Sequence, residues 1–73
     1  MIDPEEIENR FTYHATTPEQ VVTMVGIRET AKNLAHLINV ACPDSREKST
    51  ALTKLDETVM HANAAIARRE GQE

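Results

Sequence analysis

The sequence predicts an all-α fold in which a short N-terminal helix precedes a long antiparallel helical hairpin, assembled as a homo-oligomer. Three observations support this prediction. Two glycines and three prolines among 73 residues leave few interruptions to helix. Two long segments space their apolar residues three and four apart, as a helical seam requires. The Cys42-Pro43-Asp44 stretch between them is long enough only for an antiparallel turn.

The first predicted helix is short and spans residues 4–10. Asp3 suits the N-cap position and Pro4 suits the first helical position. The two glutamates that follow favour the positive end of the helix dipole.

An arm over residues 11–17 connects this helix to the next. It carries Phe11 and Tyr13, the two aromatic residues of the chain. We expect both to lie outside the helices, so their role has to be sought outside the helical seams.

The second predicted helix spans residues 18–41. Thr17 as N-cap and Gln20 at the third helical position can form a capping box. No helix breaker follows before the turn at residues 42–44. The predicted seam consists of Met24, Ile27, Ala31, Leu34, Ile38 and Ala41.

The third predicted helix spans residues 45–70, with Asp44 or Ser45 as its N-cap. Its length is close to that of the second helix, so the two can pair within a single domain of residues 1–73. Its predicted seam consists of Leu52, Leu55, Val59, Ala62 and Ile66.

Apolar residues outside the two seams predict a partner for the hairpin. Two amphipathic helices cover only one side of each other, and a chain this short buries a modest share of its surface. Val22, Val40 and Met60 are left with little to cover them. The small residues of HANAAIA, at 61–67, allow another helix to approach closely. We therefore expect a homo-oligomer of hairpins.

Charge and cysteine content restrict the class of protein. The formal charge of −4 argues against a general DNA or RNA binder, which normally needs a basic face. Cys42 is the single cysteine, which fits a reducing compartment. No apolar run is long enough to cross a bilayer, so we expect no membrane partner and a soluble, cytosolic protein.

No group of residues predicts catalysis, a metal site or a cofactor. The chain has no glycine-rich phosphate loop and no pair of metal ligands at useful spacing. The three histidines, His14, His36 and His61, are scattered, and we expect His36 to flank the seam as a surface or partly packed side chain. Cys42 adjoins a proline in the turn, where an inert thiol is expected. We therefore predict that the protein is not an enzyme.

One set of residues could bind a small anionic ligand. Tyr13 offers an aromatic face, and Arg28 offers a planar fork of donors that suits phosphate. Lys32 lies one turn after Arg28 on the same face. Gly26 within a helix lowers the stability of the helix by about 1 kcal/mol relative to alanine. A glycine at this position suggests that another helix or a ligand approaches the backbone closely. The alternative is that Phe11 and Tyr13 cover the hairpin and that Arg28 is a solvated charge paired with Glu29 or Asp56.

Two stretches of the chain resemble a known family. CPDSREKSTALTKLDETVMHANAAIAR, at 42–68, and NRFTYHATTPEQ, at 9–20, are similar to the hairpin domain of the phage signal sponges that act against the CBASS and Thoeris immune systems. The short length, without an added β-rich section, is more similar to the anti-CBASS branch than to the anti-Thoeris branch.

The resemblance implies a function and an assembly. Such proteins bind cyclic dinucleotides such as cGAMP, and cyclic trinucleotides, in the cytoplasm of the infected bacterial host. They hold these signals without cleaving them, so the CBASS effector is not activated. The resemblance also implies a homohexamer, with cyclic dinucleotides between protomers and cyclic trinucleotides in separate pockets.

The resemblance also implies roles for individual residues. A tyrosine and a basic residue fifteen positions later hold the dinucleotide in the family, and Tyr13 and Arg28 have this separation; the relatives carry lysine where this chain has Arg28. The third helix matches the family segment in position at Arg46, Lys48 and Asn63. The polar residues of the arm that are candidate ligand contacts are Thr12, His14 and Thr16.

The same residues fit a second interpretation. The chain could be a small helical oligomerisation or partner-docking module that takes up no small molecule. Uptake of ligand, and its recovery intact after heating, would separate a sponge from a docking module and from an enzyme.

Overall fold

The computed structural model describes residues 2–12 and 14–69, which form three α-helices and no strand. Helix α1 spans Pro4–Phe11, α2 spans Pro18–Ala41 and α3 spans Arg46–Arg69. The prediction of an all-α chain with a helical hairpin is therefore confirmed for these residues. Tyr13 and residue 70, the predicted end of the third helix, lie outside the described residues.

Helix α1 begins as its sequence indicates and ends one residue later than predicted. The Asp3 carboxylate accepts the backbone N–H of Glu5 at 2.9 Å, and Pro4 occupies the first turn. Thr12, whose backbone is extended, ends the helix at Phe11. The expectation that Phe11 lies outside the helices was wrong, because helical backbone continues until this cap. The Phe11 side chain is 84% exposed.

Helix α2 starts with a complete capping box. The Thr17 hydroxyl accepts the backbone N–H of Gln20 at 3.1 Å, and the Thr17 N–H donates to the Gln20 side-chain oxygen at 3.0 Å. The Gln20 amide nitrogen also donates to the Ile66 carbonyl on α3 at 3.3 Å. Gln20 thus fixes the start of α2 and joins it to the last turns of α3.

The turn between α2 and α3 is held by Ser45 and Lys48. The Ser45 hydroxyl accepts the N–H of Lys48 at 3.1 Å, so Ser45 rather than Asp44 caps α3. The Lys48 ammonium donates to the Asn39 carbonyl at 2.8 Å and to the Asp44 carboxylate at 2.9 Å. Only 11% of the Lys48 side chain is exposed. Lys48 therefore joins the end of α2 to the start of α3.

Helices α2 and α3 pack along the predicted seams, but the packing stays shallow. No described side chain is fully buried. Leu34 and Ala41, both predicted in the seam, are exposed, because they lie at its edge and in the last turn. The half-buried seam residues are Met24, Ile27, Ala31, Ile38, Leu52, Leu55, Val59, Ala62 and Ile66.

The exposed surface is large for the size of the chain. It measures 5933 Å², whereas a compact monomer of 8.2 kDa exposes about 4,500 Å². The radius of gyration is 15.5 Å, against about 11 Å for a compact domain of 73 residues. The excess of about 1,400 Å² exceeds the roughly 800 Å² that one partner contributes to a standard interface. Large apolar side chains contribute to this exposed surface, among them Val22, Leu37, Val40 and Met60.

Candidate functional site

Two open grooves follow the line where α2 meets α3, one on each side of the hairpin. We call them the Gly26 groove and the Arg28 groove after a residue of each. They share the seam residues Ala31, Leu55 and Val59. The Gly26 groove is also lined by Thr23, Gly26, Ile27, Thr30, Leu34 and Thr58. The Arg28 groove is also lined by Arg28, Lys32, Ala35, Leu52 and Asp56.

The Arg28 groove combines an apolar floor with two cations. Arg28 and Lys32, one turn apart on α2, both line it, and both are exposed. Neither side chain forms an ion pair within residues 2–12 and 14–69, although Asp56 lines the same groove. The pairing of Arg28 with Glu29 or Asp56 that a solvated charge would make is not formed in this part of the chain. The two cations can therefore meet an anion from outside.

Gly26 lies on the other side of the hairpin from Arg28. Residues two apart on a helix point in nearly opposite directions, so the two cannot act at one place within a single chain. A Cβ atom built on Gly26 meets nothing within 4 Å. The Thr30 hydroxyl donates to the Gly26 carbonyl at 2.9 Å. The close approach that a mid-helix glycine suggests does not come from the described residues of the chain itself.

Two polar side chains of the arm, those of His14 and Thr12, are engaged inside the chain, whereas Thr16 is exposed and has no side-chain hydrogen bond within the described residues. His14 is partly buried, and its Nε2 donates to the Asn9 carbonyl at 2.7 Å. The Thr12 hydroxyl donates to the Glu8 carbonyl at 2.5 Å. Tyr13, which stands between these two residues in the sequence, lies outside the described residues. The structure therefore gives His14 and Thr12 contacts that sequence reasoning did not foresee.

Helix α1 docks on the C-terminal end of α3. The Asn9 side-chain nitrogen donates to the Arg68 carbonyl at 3.1 Å. The Glu6 carboxylate binds the Arg69 guanidinium and, at 3.0 Å, the Nε of Arg10. These hydrogen bonds, from Arg69 first and then Arg10, lower the pKa of Glu6 to about 2. Sequence reasoning missed the contacts to α3, because the partners are 59 positions apart for Asn9 and 63 for Glu6, and no local pattern joins them.

The remaining predicted residues lie on α3. Lys48 is engaged in the turn. Arg46 is exposed in the first turn of α3, at the opposite end of the hairpin from the arm. A helix of 24 residues is about 36 Å long, so one chain does not bring Arg46 to His14. Asn63 is partly buried, and its Oδ1 has no hydrogen-bond partner in the part of the chain that the structure describes. Such an acceptor is suited to a donor from another molecule.

The described residues lack two further features. No three His, Cys, Asp or Glu side chains among them are placed to hold a metal ion. None of the three helices has the length and hydropathy of a membrane span.

A family model for the Acb2/Tad1 hairpin domain matches residues 3–67, about nine-tenths of the chain. No curated protein and no solved structure matches the chain. A match over this length shows the family, and the chain belongs to the Acb2/Tad1 hairpin-domain family. This is a sponge-type family, which binds ligands rather than catalysing their conversion.

Proposed function

We propose that this Acb2/Tad1 hairpin protein sequesters cyclic oligonucleotide second messengers without cleaving them. Its ligands are cyclic dinucleotides such as cGAMP, and cyclic trinucleotides in addition. By holding the signal in the cytoplasm of an infected bacterium it keeps the CBASS effector from being activated. The observation that carries this proposal is the family match over residues 3–67, because the family is one of sponge-type domains.

The Arg28 groove supports the choice of an anionic, partly apolar ligand. A guanidinium can donate two parallel hydrogen bonds to one phosphodiester, and Lys32 adds a second positive charge one turn away. The floor of the groove is formed by aliphatic side chains of the seam, which suit a ribose or the edge of a base. We propose that Arg28 binds the phosphodiester and that Tyr13 stacks on a base.

The excess surface supports assembly into an oligomer with sites between protomers. One chain leaves about 1,400 Å² more exposed than a compact monomer does, and large apolar side chains among the described residues, such as Val22, Val40 and Met60, are exposed. We propose a homohexamer, in which Gly26 permits close approach of a neighbouring chain or of the ligand. Sites between protomers would also allow the two grooves, separate on one chain, to contribute to one pocket.

The mechanism follows from mass action. A sponge removes its ligand in proportion to the number of sites, so its efficiency depends on tight binding and slow release rather than on turnover. A closed interface site favours slow release, because the ligand can leave only after the groups around it separate. No proton transfer or bond cleavage is required of any residue.

The test is retention followed by release. Purified protein is mixed with a panel of cyclic di- and trinucleotides, free ligand is filtered away, and the retained protein is heated before chromatography. Intact ligand that appears only after heating is the expected result. A cleaved product would identify an enzyme, and passage of every ligand through the filter would favour the partner-docking module.

Substitutions identify the residues involved. Loss of a charge-assisted hydrogen bond is worth about 1.5–3 kcal/mol, so Arg28→Ala should weaken binding about 10- to 150-fold. Tyr13→Ala should weaken it by about 1–3 kcal/mol, which is the usual value for one base–aromatic stack. Lys54→Ala is the matched control, because this exposed lysine pairs with Glu57 away from both grooves. Equal retention by Arg28→Ala and the control would remove the Arg28 groove from the proposal.

A further inference from the structure

Two hydrogen bonds in series tie the arm to α3. The Asn9 side-chain nitrogen donates to the Arg68 carbonyl at 3.1 Å, at the end of α3. The Asn9 backbone carbonyl then accepts the Nε2 hydrogen of His14 at 2.7 Å. Both bonds are partly shielded from solvent. Asn9 thus faces α3 with its side chain and the arm with its backbone.

We infer that Asn9 and His14 are positioning residues, which hold the arm against α1 and α3 in the place from which the arm contributes to ligand binding. The inference rests on the proposed function, since it assigns these residues a role in ligand binding. His14 then acts through the arm and does not touch the ligand itself. Asn9, which the sequence did not single out, becomes part of the binding apparatus.

The orientation of the Asn9 amide supports this role. Its nitrogen is used by the Arg68 carbonyl, while its Oδ1 is shielded and has no partner within the described residues. The hydrogen bond from the Asn9 side-chain nitrogen to the Arg68 carbonyl is thus the one that holds the amide in this orientation among the described residues. That bond uses one of the last carbonyls of α3, which have no acceptor role inside the helix. The anchor point is therefore the C-terminal end of α3.

The arm is held on the other side as well. Gln20, in the first turn of α2, donates to the Ile66 carbonyl of α3 at 3.3 Å and closes the capping box with Thr17. The arm between His14 and Thr17 therefore has both its ends tied, directly or through α1, to the last turns of α3. A segment fixed in this way loses less conformational freedom when a ligand binds, which strengthens binding without any added contact.

The experiment measures the dissociation constant and dissociation rate of a fluorescent 2-aminopurine cyclic dinucleotide by stopped flow on the full chain. One neutral hydrogen bond corresponds to about a fivefold change, so His14→Ala and Asn9→Ala should each weaken binding about five- to tenfold. His14→Gln keeps a side-chain amide donor at similar reach and should bind within about twofold of wild type. His36→Ala, an exposed histidine of α2, is the matched control and should bind as wild type does.

The variant that carries both Asn9→Ala and His14→Ala tests whether the two hydrogen bonds act one through the other or independently. If Asn9 and His14 act through the same arm, the combined variant should bind about as weakly as the weaker single variant. Full additivity would overturn the series arrangement. Binding by His14→Gln as weak as by His14→Ala, with normal binding by Asn9→Ala, would show that His14 contacts the ligand directly.

Failure of the inference can be separated from failure of the proposed function. If wild-type protein binds the dinucleotide and both single variants equal it, only the positioning role is refuted. The probe is the fluorescent analogue of a cyclic dinucleotide that the filter assay retains. If wild-type protein retains no ligand of the panel, the proposed function fails and the inference fails with it. Circular dichroism of each variant reports whether the helices are intact, and rescue by His14→Gln separates a lost donor from a general loss of structure.

Discussion

Replacing Gly26 with glutamine should stabilise a single hairpin and weaken an assembly of hairpins. In one chain an added Cβ meets nothing within 4 Å, so the new side chain has room. Removing a mid-helix glycine is worth about 1 kcal/mol, or roughly 4–8 °C in the melting temperature of a domain this small. The substitutions Gly26→Ala and Gly26→Gln raise helix propensity by similar amounts, but the two new side chains differ greatly in length. The pair therefore separates the backbone effect from the effect of bulk.

In the proposed oligomer the Gly26 groove is covered, and a long side chain there must displace a neighbour. Overpacking of this kind costs about 1–3 kcal/mol, which corresponds to an association about 5- to 150-fold weaker. Sedimentation velocity and thermal melts at several protein concentrations measure both quantities. We expect Gly26→Gln to dissociate at concentrations where wild type stays assembled, and Gly26→Ala to lie between them.

Thr53→Gln, at an exposed position of α3, changes helix propensity outside both grooves and should leave assembly unchanged. A Gly26→Gln protein that melts higher at every concentration and sediments as wild type does would show that this groove faces solvent in the native protein. Close approach of a neighbouring chain would then not account for the glycine at this position.

Three further predictions concern the turn and the end of α3. Lys48→Met leaves the Asn39 carbonyl without its ammonium donor, so urea denaturation should show a free energy of unfolding lower by about 1–2 kcal/mol. Hydrogen bonds, chiefly that from Arg69, lower the pKa of Glu6 from 4.5 to about 2. The ionised carboxylate therefore stabilises the folded protein fully above about pH 4.5, and this stabilisation is lost as the pH falls through about 2. The protection of the α1 amides, taken relative to the intrinsic exchange rate at each pH, should therefore fall below pH 4.5, and Glu6→Gln should show this lower protection already at pH 7. Unchanged protection in both cases would refute the contact. Cys42 is exposed, so its thiol should react with a disulfide reagent as fast in the native protein as in urea, and strong protection would mean that the turn is covered in the assembly.

Local signals in the sequence predicted the hairpin well. The capping box of Thr17 and Gln20 depends only on residues three apart, and it is present in the structure. The seam of α2 and α3 follows from the helical period alone. The choice between Asp44 and Ser45 as N-cap needed the structure, because both residue types cap helices and only the Ser45 hydroxyl receives the Lys48 N–H.

Contacts between distant parts of the chain could not be predicted in the same way. The docking of α1 depends on Asn9 and Glu6 meeting the end of α3, and no periodicity links those positions. The error at Phe11 arose because the end of a short helix depends on its cap rather than on an apolar pattern. The placement of Gly26 and Arg28 in different grooves, by contrast, follows from helical geometry and could have been predicted from their spacing.

The docking of α1 also fixes an order of events during synthesis. Helix α1 leaves the ribosome first, yet the α3 residues that hold it come 59 to 63 positions later. The hairpin contacts close a short turn and can form quickly, whereas the α1 contacts close a long loop and must wait for the last turn of α3. Until then the nascent chain has no place to hold its first helix. A chain whose synthesis stops between Val59 and Arg68 would contain the residues of both grooves and still have an unanchored arm.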